Sequence, residues 1–252
     1  MLQRMISTDS FCKKAKKFFL EILPRQDGRC MAKDTPLKEK TLLYADGKIK
    51  ERKYVCEGKL EGEYTSYYHS GQILAHVHFV NGKKNGEAYV YYPDGKIREK
   101  AFFVNDKLDG EYVSYYENGN IREKEYYKNG KLHGTYQIYY KNGQLKAQEN
   151  FKNGKFDGEY VCYYKSGQVK EKGSFKNDKR EGDYICYYKS GQIKEKATYR
   201  RGNLVGKFLV FNEDGSHFSK TDIPEDENGK TWEDQDIGAL LEDLKHFDEK
   251  QK

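Results

Sequence analysis

Few residues in this sequence have the types and spacing that catalysis or metal binding requires. His76 and His78 share one face of a predicted strand and could donate to a metal ion, with His69 in the preceding turn. No cysteine or carboxylate follows at a matching spacing, so we expect no metal and no cofactor. The segment Gly202–Phe208 approaches a phosphate-binding loop but is one residue short and lacks its Ser or Thr. The sequence therefore predicts a protein that is not an enzyme.

The sequence gives little support for acid–base or thiol chemistry either. In the predicted strands a cation precedes a glutamate, as in Arg98 and Glu99, and successive side chains of a strand point to opposite faces. Such neighbours cannot act as an acid–base couple. Of the five cysteines, Cys162 and Cys186 hold equivalent positions in neighbouring hairpins, about 10 Å apart and too far for a disulfide. Reduced thiols fit this pattern, and with them a cytoplasmic location.

The elements that must position these residues repeat every 24 residues. Two glycine series keep this spacing without a slip. They are Gly62, Gly86, Gly110, Gly134, Gly158, Gly182 and Gly206, and Gly47, Gly71, Gly95, Gly119, Gly143, Gly167, Gly191 and Gly215. Six full copies run from Glu57 to Arg200, after a half copy (Thr41–Cys56) and before a decaying copy that starts at Arg201.

Each copy contains the pattern of a β-hairpin. Glu111–Tyr116 and Ile121–Tyr127 are short segments rich in β-forming residues. The intervening Glu117–Asn120 contains the Asn and Gly that a tight turn favours. A lone hairpin is marginal in water, whereas hairpins stacked edge to edge bury one another's side chains. We therefore predict an all-β repeat protein, a single-layer antiparallel sheet of stacked hairpins with a short helix at each end.

The composition agrees with a thin sheet. Only 36% of the residues are hydrophobic while 34% are charged, so the chain has few aliphatic side chains with which to build a thick core. The 23 tyrosines can cover a neighbour with the ring and leave the hydroxyl in water.

The repeat reads N-G-K-x-x-G-x-Y-x-x-Y-Y-x-x-G-x-x-K-x-x-x-x-Y/F, as in Asn153 to Phe175. This pattern resembles the MORN repeat, in the variant form of bacterial proteins that are similar to the YwqK-type antitoxin family. The resemblance implies a binding surface more than a reaction. Related arrays serve as protein-binding scaffolds, as proposed membrane-lipid contacts and as the antitoxin partner of a toxin.

The N-terminal segment, residues 1–33, is basic and does not repeat. It holds eight Lys or Arg against three Asp or Glu. Phe11, Phe18, Phe19 and Ile22 follow helical spacing, with lysines between them. Two interpretations stay open. The segment is either a helix that caps the first hairpin or a basic amphipathic segment that lies on an anionic membrane.

The C-terminal segment, residues 221–252, reverses the charge. From Lys220 to Lys252 five basic residues stand against eleven acidic ones. After an acidic linker an apolar stripe predicts a helix, which either caps the open sheet edge or docks on a partner. The stripe consists of Ile237, Leu240, Leu241, Leu244 and Phe247. The repeat array occupies residues 34–220 between the two segments.

Strand alternation predicts that two rows of cations and some aromatic residues share one face of the array. Glu99 and its equivalents are expected on the opposite face. A charged surface that merely keeps a long sheet soluble is the alternative. The residues that we expect to contact a partner are Arg98, Lys100, Phe102, Arg122, Lys124, Tyr126, Lys146, Lys170, Lys172 and Lys194.

Aromatic residues form three columns, and we expect their packing along the array to act as its core. Tyr67 begins the first column, Tyr68 the second and Phe79 the third, each recurring every 24 residues. The turn position of Asp109, His133, Asp157 and Glu181 changes from copy to copy. If a specific partner is recognised, such variable positions must encode it.

These patterns together predict a non-catalytic protein-binding module. By its resemblance, the sharpest version is an antitoxin or immunity protein that sequesters a toxin. The alternative is a MORN-type scaffold with a peripheral membrane or lipid contact, at the inner face of a membrane. We expect a protein partner and no nucleic acid, because acidic groups interleaved with the cations would repel a phosphate backbone. The sequence predicts no particular oligomeric state.

Overall fold

The computed structural model describes residues 36–223 of the chain. The predicted N-terminal helix in residues 1–33 and the predicted C-terminal helix over residues 237–247 lie outside the described residues. The chain divides into two compact units, Met1–Leu108 (unit 1) and Asp109–Lys252 (unit 2). In the described part, both units are built from β-strands without a helix, and none of these residues forms a segment able to cross a membrane as a helix.

Unit 1 contains one antiparallel sheet in which each strand pairs with the next along the chain. Its strands are β1 (Lys38–Leu43), β2 (Ile49–Cys56), β3 (Lys59–Tyr67), β4 (Ile73–Val80), β5 (Lys83–Tyr91), β6 (Ile97–Val104) and β7 (Lys107–Leu108).

Unit 2 continues the same hairpin pattern, with some strands divided into a two-residue piece and a longer piece. Its strands are β8 (Gly110–Tyr115), β9 (Ile121–Lys128), β10 (Lys131–Leu132), β11 (Gly134–Tyr139), β12 (Leu145–Lys152), β13 (Lys155–Phe156), β14 (Gly158–Tyr163), β15 (Val169–Lys176), β16 (Lys179–Arg180), β17 (Gly182–Tyr187), β18 (Ile193–Arg200), β19 (Asn203–Phe211) and β20 (His217–Ile223). The predicted all-β array of 24-residue hairpins is confirmed.

Two kinds of turn connect the strands. Between β4 and β5 the turn has two residues, Asn81 and Gly82, whose φ angles of 52° and 80° are both positive. Positive φ at both positions gives a two-residue turn the twist of the flanking strands, which explains the Asn-Gly pairs. In the other turn, Tyr116 N–H donates to Asn120 O at 2.8 Å and Gly119 N–H donates to Tyr116 O at 2.8 Å.

Two irregularities recur in each complete repeat. Between β8 and β9, Ser114 pairs with Glu123 and Tyr115 with Ile121, so Arg122 is an extra residue in a β-bulge. The second irregularity separates β10 from β11, where His133 N–H donates to Tyr126 O at 2.8 Å. A bulge bends the strand and re-aims a side chain. Strict alternation along the strand therefore fails at these two positions.

The core of unit 2 lies on one face of its sheet, which we call the core face. Its buried cluster consists of Tyr160, Tyr184, Ala197, Tyr199, Leu204 and Phe208, with Phe175, Cys162, Cys186 and Val210 packed against it. Tyr199 and Phe175 belong to the third aromatic column, whereas Tyr160, Tyr184 and Phe208 form a further 24-residue column that the prediction did not include. A Cβ atom at Gly173 would lie 2.9 Å from Tyr160 Cε1, which explains the glycine beneath this ring.

Within each unit, tyrosines of the second column link neighbouring repeats. In unit 1, Tyr44 Oη donates to Tyr67 O and Tyr68 Oη donates to Tyr91 O, both at 2.7 Å. The same bond, of 2.7 to 2.9 Å, recurs four times in unit 2. Its donors are Tyr116, Tyr140, Tyr164 and Tyr188.

Candidate partner-binding surface

The first predicted row of cations lies at the bulges. Its members are Arg98, Arg122, Lys146, Lys170 and Lys194. Arg98 Nε is 3.1 Å from Glu99 Oε1, and Lys194 Nζ is 3.7 Å from Glu195 Oε1. The prediction that such sequence neighbours lie on opposite faces is wrong here, because the bulge brings the cation beside the glutamate that follows it.

The second row keeps the regular register. Lys100 pairs with Tyr89, Lys124 with Val113 and Lys172 with Val161 across the strands. We call the face that carries these lysines in each unit the lysine face of that unit: Lys100 and Phe102 in unit 1, and Lys124, Tyr126, Lys172 and Lys196 in unit 2. In unit 2 it lies opposite the core face. Tyr126, with 41% of its surface exposed, is a large apolar residue open to solvent.

The lysines of this face form cross-strand ion pairs and ring contacts. Lys100 Nζ lies 3.2 Å from Glu87 Oε1, and Lys124 Nζ lies 2.6 Å from Glu111 Oε1. The hydrogen bond to Glu111 raises the pKa of Lys124. Lys172 Nζ lies 5.9 Å from the centre of the Tyr187 ring. Exposed ion pairs contribute roughly 0 to 1 kcal/mol, so a partner's charges can replace them at small cost.

Two cavities of unit 2 open at the same position of different repeats. The first, of about 410 Å³, is lined by Glu111, Lys124, Glu125, Tyr126, His133, Gly134, Thr135 and Gln137. The second, of about 420 Å³, is lined by Glu159, Tyr160, Val161, Lys172, Gly173, Ser174, Asp183 and Ile185. Most of their lining residues correspond at a spacing of two repeats, as Lys124 and Lys172 do. The lysine face of unit 2 is therefore indented at two equivalent positions.

The histidines of unit 1 bind a carboxylate. His76 Nε2 lies 2.7 Å from Glu63 Oε2, and His78 Nδ1 lies 2.9 Å from Glu63 Oε1. Burial alone would raise the pKa of Glu63, but the hydrogen bonds and charges of both histidines lower it to about 2. The hydrogen bond to Glu63 raises the pKa of His76. His69 lies elsewhere, 3.2 Å from Asp46 Oδ2.

No group of three or more His, Cys, Asp or Glu is placed to hold a metal ion among the residues that the structure describes.

Cys162 and Cys186 are free thiols, as predicted, and burial raises the pKa of Cys162 to about 12. Cys56 is disulfide-bonded. The expectation of reduced thiols is therefore wrong at Cys56, and the argument for a cytoplasmic location loses that support.

The variable turn position has a structural role in four copies. Its carboxylate accepts the backbone N–H of the residue 20 positions later, which lies in the next turn. Glu61 Oε2 accepts from Asn81 at 2.7 Å, and Glu181 Oε2 accepts from Arg201 at 2.7 Å. Asp109 and Asp157 make longer bonds of the same kind, of 3.2 and 3.4 Å. A change between Asp and Glu at this position therefore changes only which carboxylate caps the turn.

Six segments of the chain match the model of the MORN repeat variant. They are residues 60–81, 84–105, 108–131, 132–153, 156–177 and 180–201. The chain belongs to this MORN repeat family. No curated protein sequence matches the chain.

Solved structures resemble this MORN array only weakly. The TcdB2-TccC3 crystal structure shares 11% identity with a TM-score of 0.23, over 79% of this chain and 13% of that chain. The Photorhabdus luminescens Tc holotoxin pore shares 11% identity with a TM-score of 0.21, over 78% and 13%. The TCP10 domain of Danio rerio CPAP, in complex with a peptide of Danio rerio STIL, shares 15% identity with a TM-score of 0.21, over 73% and 99%. This chain thus spans a small part of the first two chains, and scores this low support no functional inference.

Sequence reasoning missed two features of the MORN surface. The carboxylate partner of His76 and His78 is Glu63, which lies on the adjacent strand, so no spacing within one strand could reveal it. The difference between the bulge row and the lysine face was also missed. A constant spacing could have revealed it, since the bulge follows the Gly119-type turn at the same distance in every repeat.

Proposed function

We propose that this MORN repeat protein is a non-catalytic scaffold that presents its lysine face to an acidic protein partner. The observation that carries the proposal is the repetition of one arrangement along unit 2. Lysines recur at one repeat position of a single face, and two cavities open at equivalent positions of that face. Tyr126 adds one exposed aromatic ring beside the first cavity. Several weak contacts then add over a long surface, and aromatic residues provide the apolar area that protein interfaces favour.

Charge supports a protein partner better than a nucleic acid. Lys124 is paired with Glu111, and the other lysines of this face alternate along the sheet with acidic residues such as Glu159 and Asp183. Acidic groups at such short intervals repel a phosphate backbone, whereas a protein can match both signs. Charge complementarity of this kind raises the association rate more than the affinity.

The finer version of the proposal is an antitoxin or immunity protein that sequesters a toxin. It is supported by the resemblance of the repeat to the YwqK-type antitoxin family. Sequencing the genes beside this one tests it, because a neighbouring toxin-like reading frame whose product is neutralised by this protein is expected. Absence of neutralisation by the co-expressed chain would reject this version and leave the scaffold proposal standing.

A scaffold with a peripheral membrane contact is the second candidate. It is supported by the basic N-terminal segment, in which lysines interleave with Phe18, Phe19 and Ile22. Sedimentation of the full chain with anionic phosphatidylserine vesicles tests it. Salt-sensitive binding that is lost on deleting residues 1–33, with an unchanged melting temperature, supports the membrane contact. A lowered melting temperature without vesicle binding supports a cap. The cytoplasmic location remains part of the proposal.

Three matched triple variants separate the candidate surfaces of unit 2. Each changes the net charge equally: Lys124→Glu with Lys172→Glu and Lys196→Glu on the lysine face; Arg122→Glu with Lys146→Glu and Lys170→Glu at the bulges; and Lys141→Glu with Lys165→Glu and Lys189→Glu at the turns. Association with the purified partner is measured at low salt. We expect several-fold slower association and a weaker salt dependence for the lysine-face triple alone. Equal slowing by all three triples would indicate net charge rather than a surface.

A further inference from the structure

Cations are concentrated at one rim of the unit 2 sheet, where the two-residue turns lie. Four segments form this rim, residues 128–131, 152–157, 176–181 and 200–203. Eight exposed cations of these segments make up what we call the basic rim: Lys128, Lys131, Lys152, Lys155, Lys176, Lys179, Arg200 and Arg201. The same segments contain three acids, so the rim carries an excess of positive charge.

The three acids of these segments are bound to the backbone. Asp157 and Glu181 cap turns, as described above. Asp178 Oδ1 accepts the N–H of Phe156 at 2.8 Å. Within the described residues, Lys176 is the one member of the basic rim that forms an ion pair, 3.3 Å from Asp157 Oδ1. The other seven cations are thus exposed without an acidic partner in the part of the chain that the structure describes.

In three turns of this rim, two lysines stand directly opposite each other. The pairs are Lys128 with Lys131, Lys152 with Lys155 and Lys176 with Lys179. Like charges in this position destabilise a pair of strands. In unit 1 the equivalent pairs contain one apolar residue, as in Val80 with Lys83 and Val104 with Lys107. Departures from a local rule without a structural gain are expected where a protein carries out its function.

The lysines of successive turns line up along the rim. A Cβ atom at Gly154 would lie 3.8 Å from Lys131 Cβ, and one at Gly202 would lie 3.6 Å from Lys179 Cβ. The stem of each of these lysines therefore lies against the glycine of the next turn. Equivalent strands are two apart, so the cations of neighbouring turns follow one another at about 10 Å. An acidic segment that runs along the rim can meet several of them at once.

The last described strand ends beside this rim. Ile223 of β20 pairs with Gly206 of β19, and β19 begins directly after the turn of Arg201 and Gly202. The residues that follow, 224–236, contain six acids and one lysine. Thirteen residues can span roughly 45 Å, whereas the four turns of the rim extend over about 30 Å. The acidic segment is therefore long enough to follow the whole rim.

We propose that the acidic segment, residues 224–236, binds along the basic rim of its own chain. Its first acids pair with Arg200 and Arg201, and its later acids pair with lysines of the preceding turns. Each exposed ion pair contributes little by itself, so binding needs several of them and weakens with salt. The bound segment shields the basic rim from other anions. This inference goes beyond the proposed function and does not depend on it.

Carbodiimide cross-linking of the full chain tests the contact, because it joins a carboxylate to an amine only where the two touch. A mixture of isotope-labelled and unlabelled chains distinguishes links within a chain from links between chains. At low salt we expect links within the chain from the acidic segment to Lys155, Lys176 and Lys179, and their loss at high salt. The control lysines at the opposite rim are Lys141, Lys165 and Lys189. Equal yields at both rims, or links between chains only, would overturn the inference.

Two matched variants of the full chain separate the segment from net charge. Each replaces four acids by amides: Glu225→Gln, Asp226→Asn, Glu227→Gln and Glu233→Gln in the segment, or Glu242→Gln, Asp243→Asn, Asp248→Asn and Glu249→Gln beyond it. Brief acetylation at low salt should modify Lys152, Lys155 and Lys179 several-fold faster in the first variant than in the wild type. The second variant should leave these rates unchanged. Equal rates in the first variant and the wild type, or equal acceleration in both variants, would contradict the proposed contact.

Trp232, the single tryptophan of the chain, reports on the segment itself. Its fluorescence anisotropy should fall when salt is raised. Lys152→Gln with Lys155→Gln and Lys179→Gln should lower the low-salt anisotropy to the high-salt value, with the melting temperature retained. The matched control is Lys141→Gln with Lys165→Gln and Lys189→Gln, which should leave the anisotropy unchanged. An anisotropy that neither salt nor the rim triple alters would place the segment away from the rim.

These measurements also keep this inference separate from the proposed function. None of them requires the partner protein, so their failure would reject the contact of the acidic segment and leave the lysine-face proposal standing. Conversely, a partner that ignores the lysine face would reject the proposed function without affecting the cross-links.

Discussion

The two faces of the unit 2 sheet are made by the same strands but are built differently. On the core face, Tyr160, Tyr184 and Phe208 are each less than 10% exposed and pack against one another. On the lysine face, the ion pair of Lys124 with Glu111 is about half exposed, and cavities separate the side chains. The comparison indicates that the large buried rings of one face hold the repeats together, while the other face buries smaller side chains such as Val113 beneath its charged groups.

The largest expected effect comes from breaking the core face. Phe208→Ala should lower the free energy of unfolding by about 3–5 kcal/mol, because it removes a buried ring and leaves a cavity. The matched variant Leu209→Ala changes the next residue of β19, which is only half-buried and pairs with Lys196. Leu209→Ala should lower the free energy of unfolding by clearly less than Phe208→Ala does. Urea denaturation of both variants measures the difference, and equal losses would contradict the division between the faces.

A smaller effect is expected where the core face carries an acid. Glu149 occupies the position of Ala101, Gly173 and Ala197, and burial raises its pKa. Its native state therefore binds a proton above the ordinary value of 4.5, so stability should fall as pH rises from there through the raised pKa. Glu149→Ala should reduce this decrease, to which the buried Glu125 at the equivalent position also contributes, and should stabilise the protein at pH 7 by about 0.5–2 kcal/mol.

The pH dependence of thermal unfolding for Glu149→Ala and the wild type checks this prediction. Glu159→Ala on the lysine face is the control, since Glu159 is exposed. Its curve should follow that of the wild type. A Glu149→Ala curve parallel to the wild-type curve above pH 4.5 would show that the core face tolerates a charge and would weaken the comparison.

The smallest effect is expected on the lysine face itself. Lys196 is exposed and in regular register with Ile185. Lys196→Glu should change the free energy of unfolding by less than about 0.5 kcal/mol, as most surface substitutions do. Urea denaturation beside Phe208→Ala measures it. A loss of several kcal/mol would mean that the lysine face also holds the repeats together.

The repeats were predictable from the sequence because their signals are local. Asn81-Gly82 specifies a two-residue turn, and the 24-residue period shows which residues stack. The side on which Arg122 lies was not predictable by alternation, because a bulge changes the register by one residue without changing the composition. The partner of His78 depends on the strand register, since Glu63 lies on the adjacent strand.

Lysine footprinting on the complex with the partner tests the assignment of the binding surface most directly. The free protein and the complex are acetylated briefly, and modification at each lysine is quantified by mass spectrometry. If the lysine face binds, Lys124, Lys172 and Lys196 should be protected in the complex, while Lys141, Lys165 and Lys189 at the turns react as in the free protein. Protection of the turn lysines, or of Lys146 and Lys170 at the bulges, with the lysine face still reactive would contradict it.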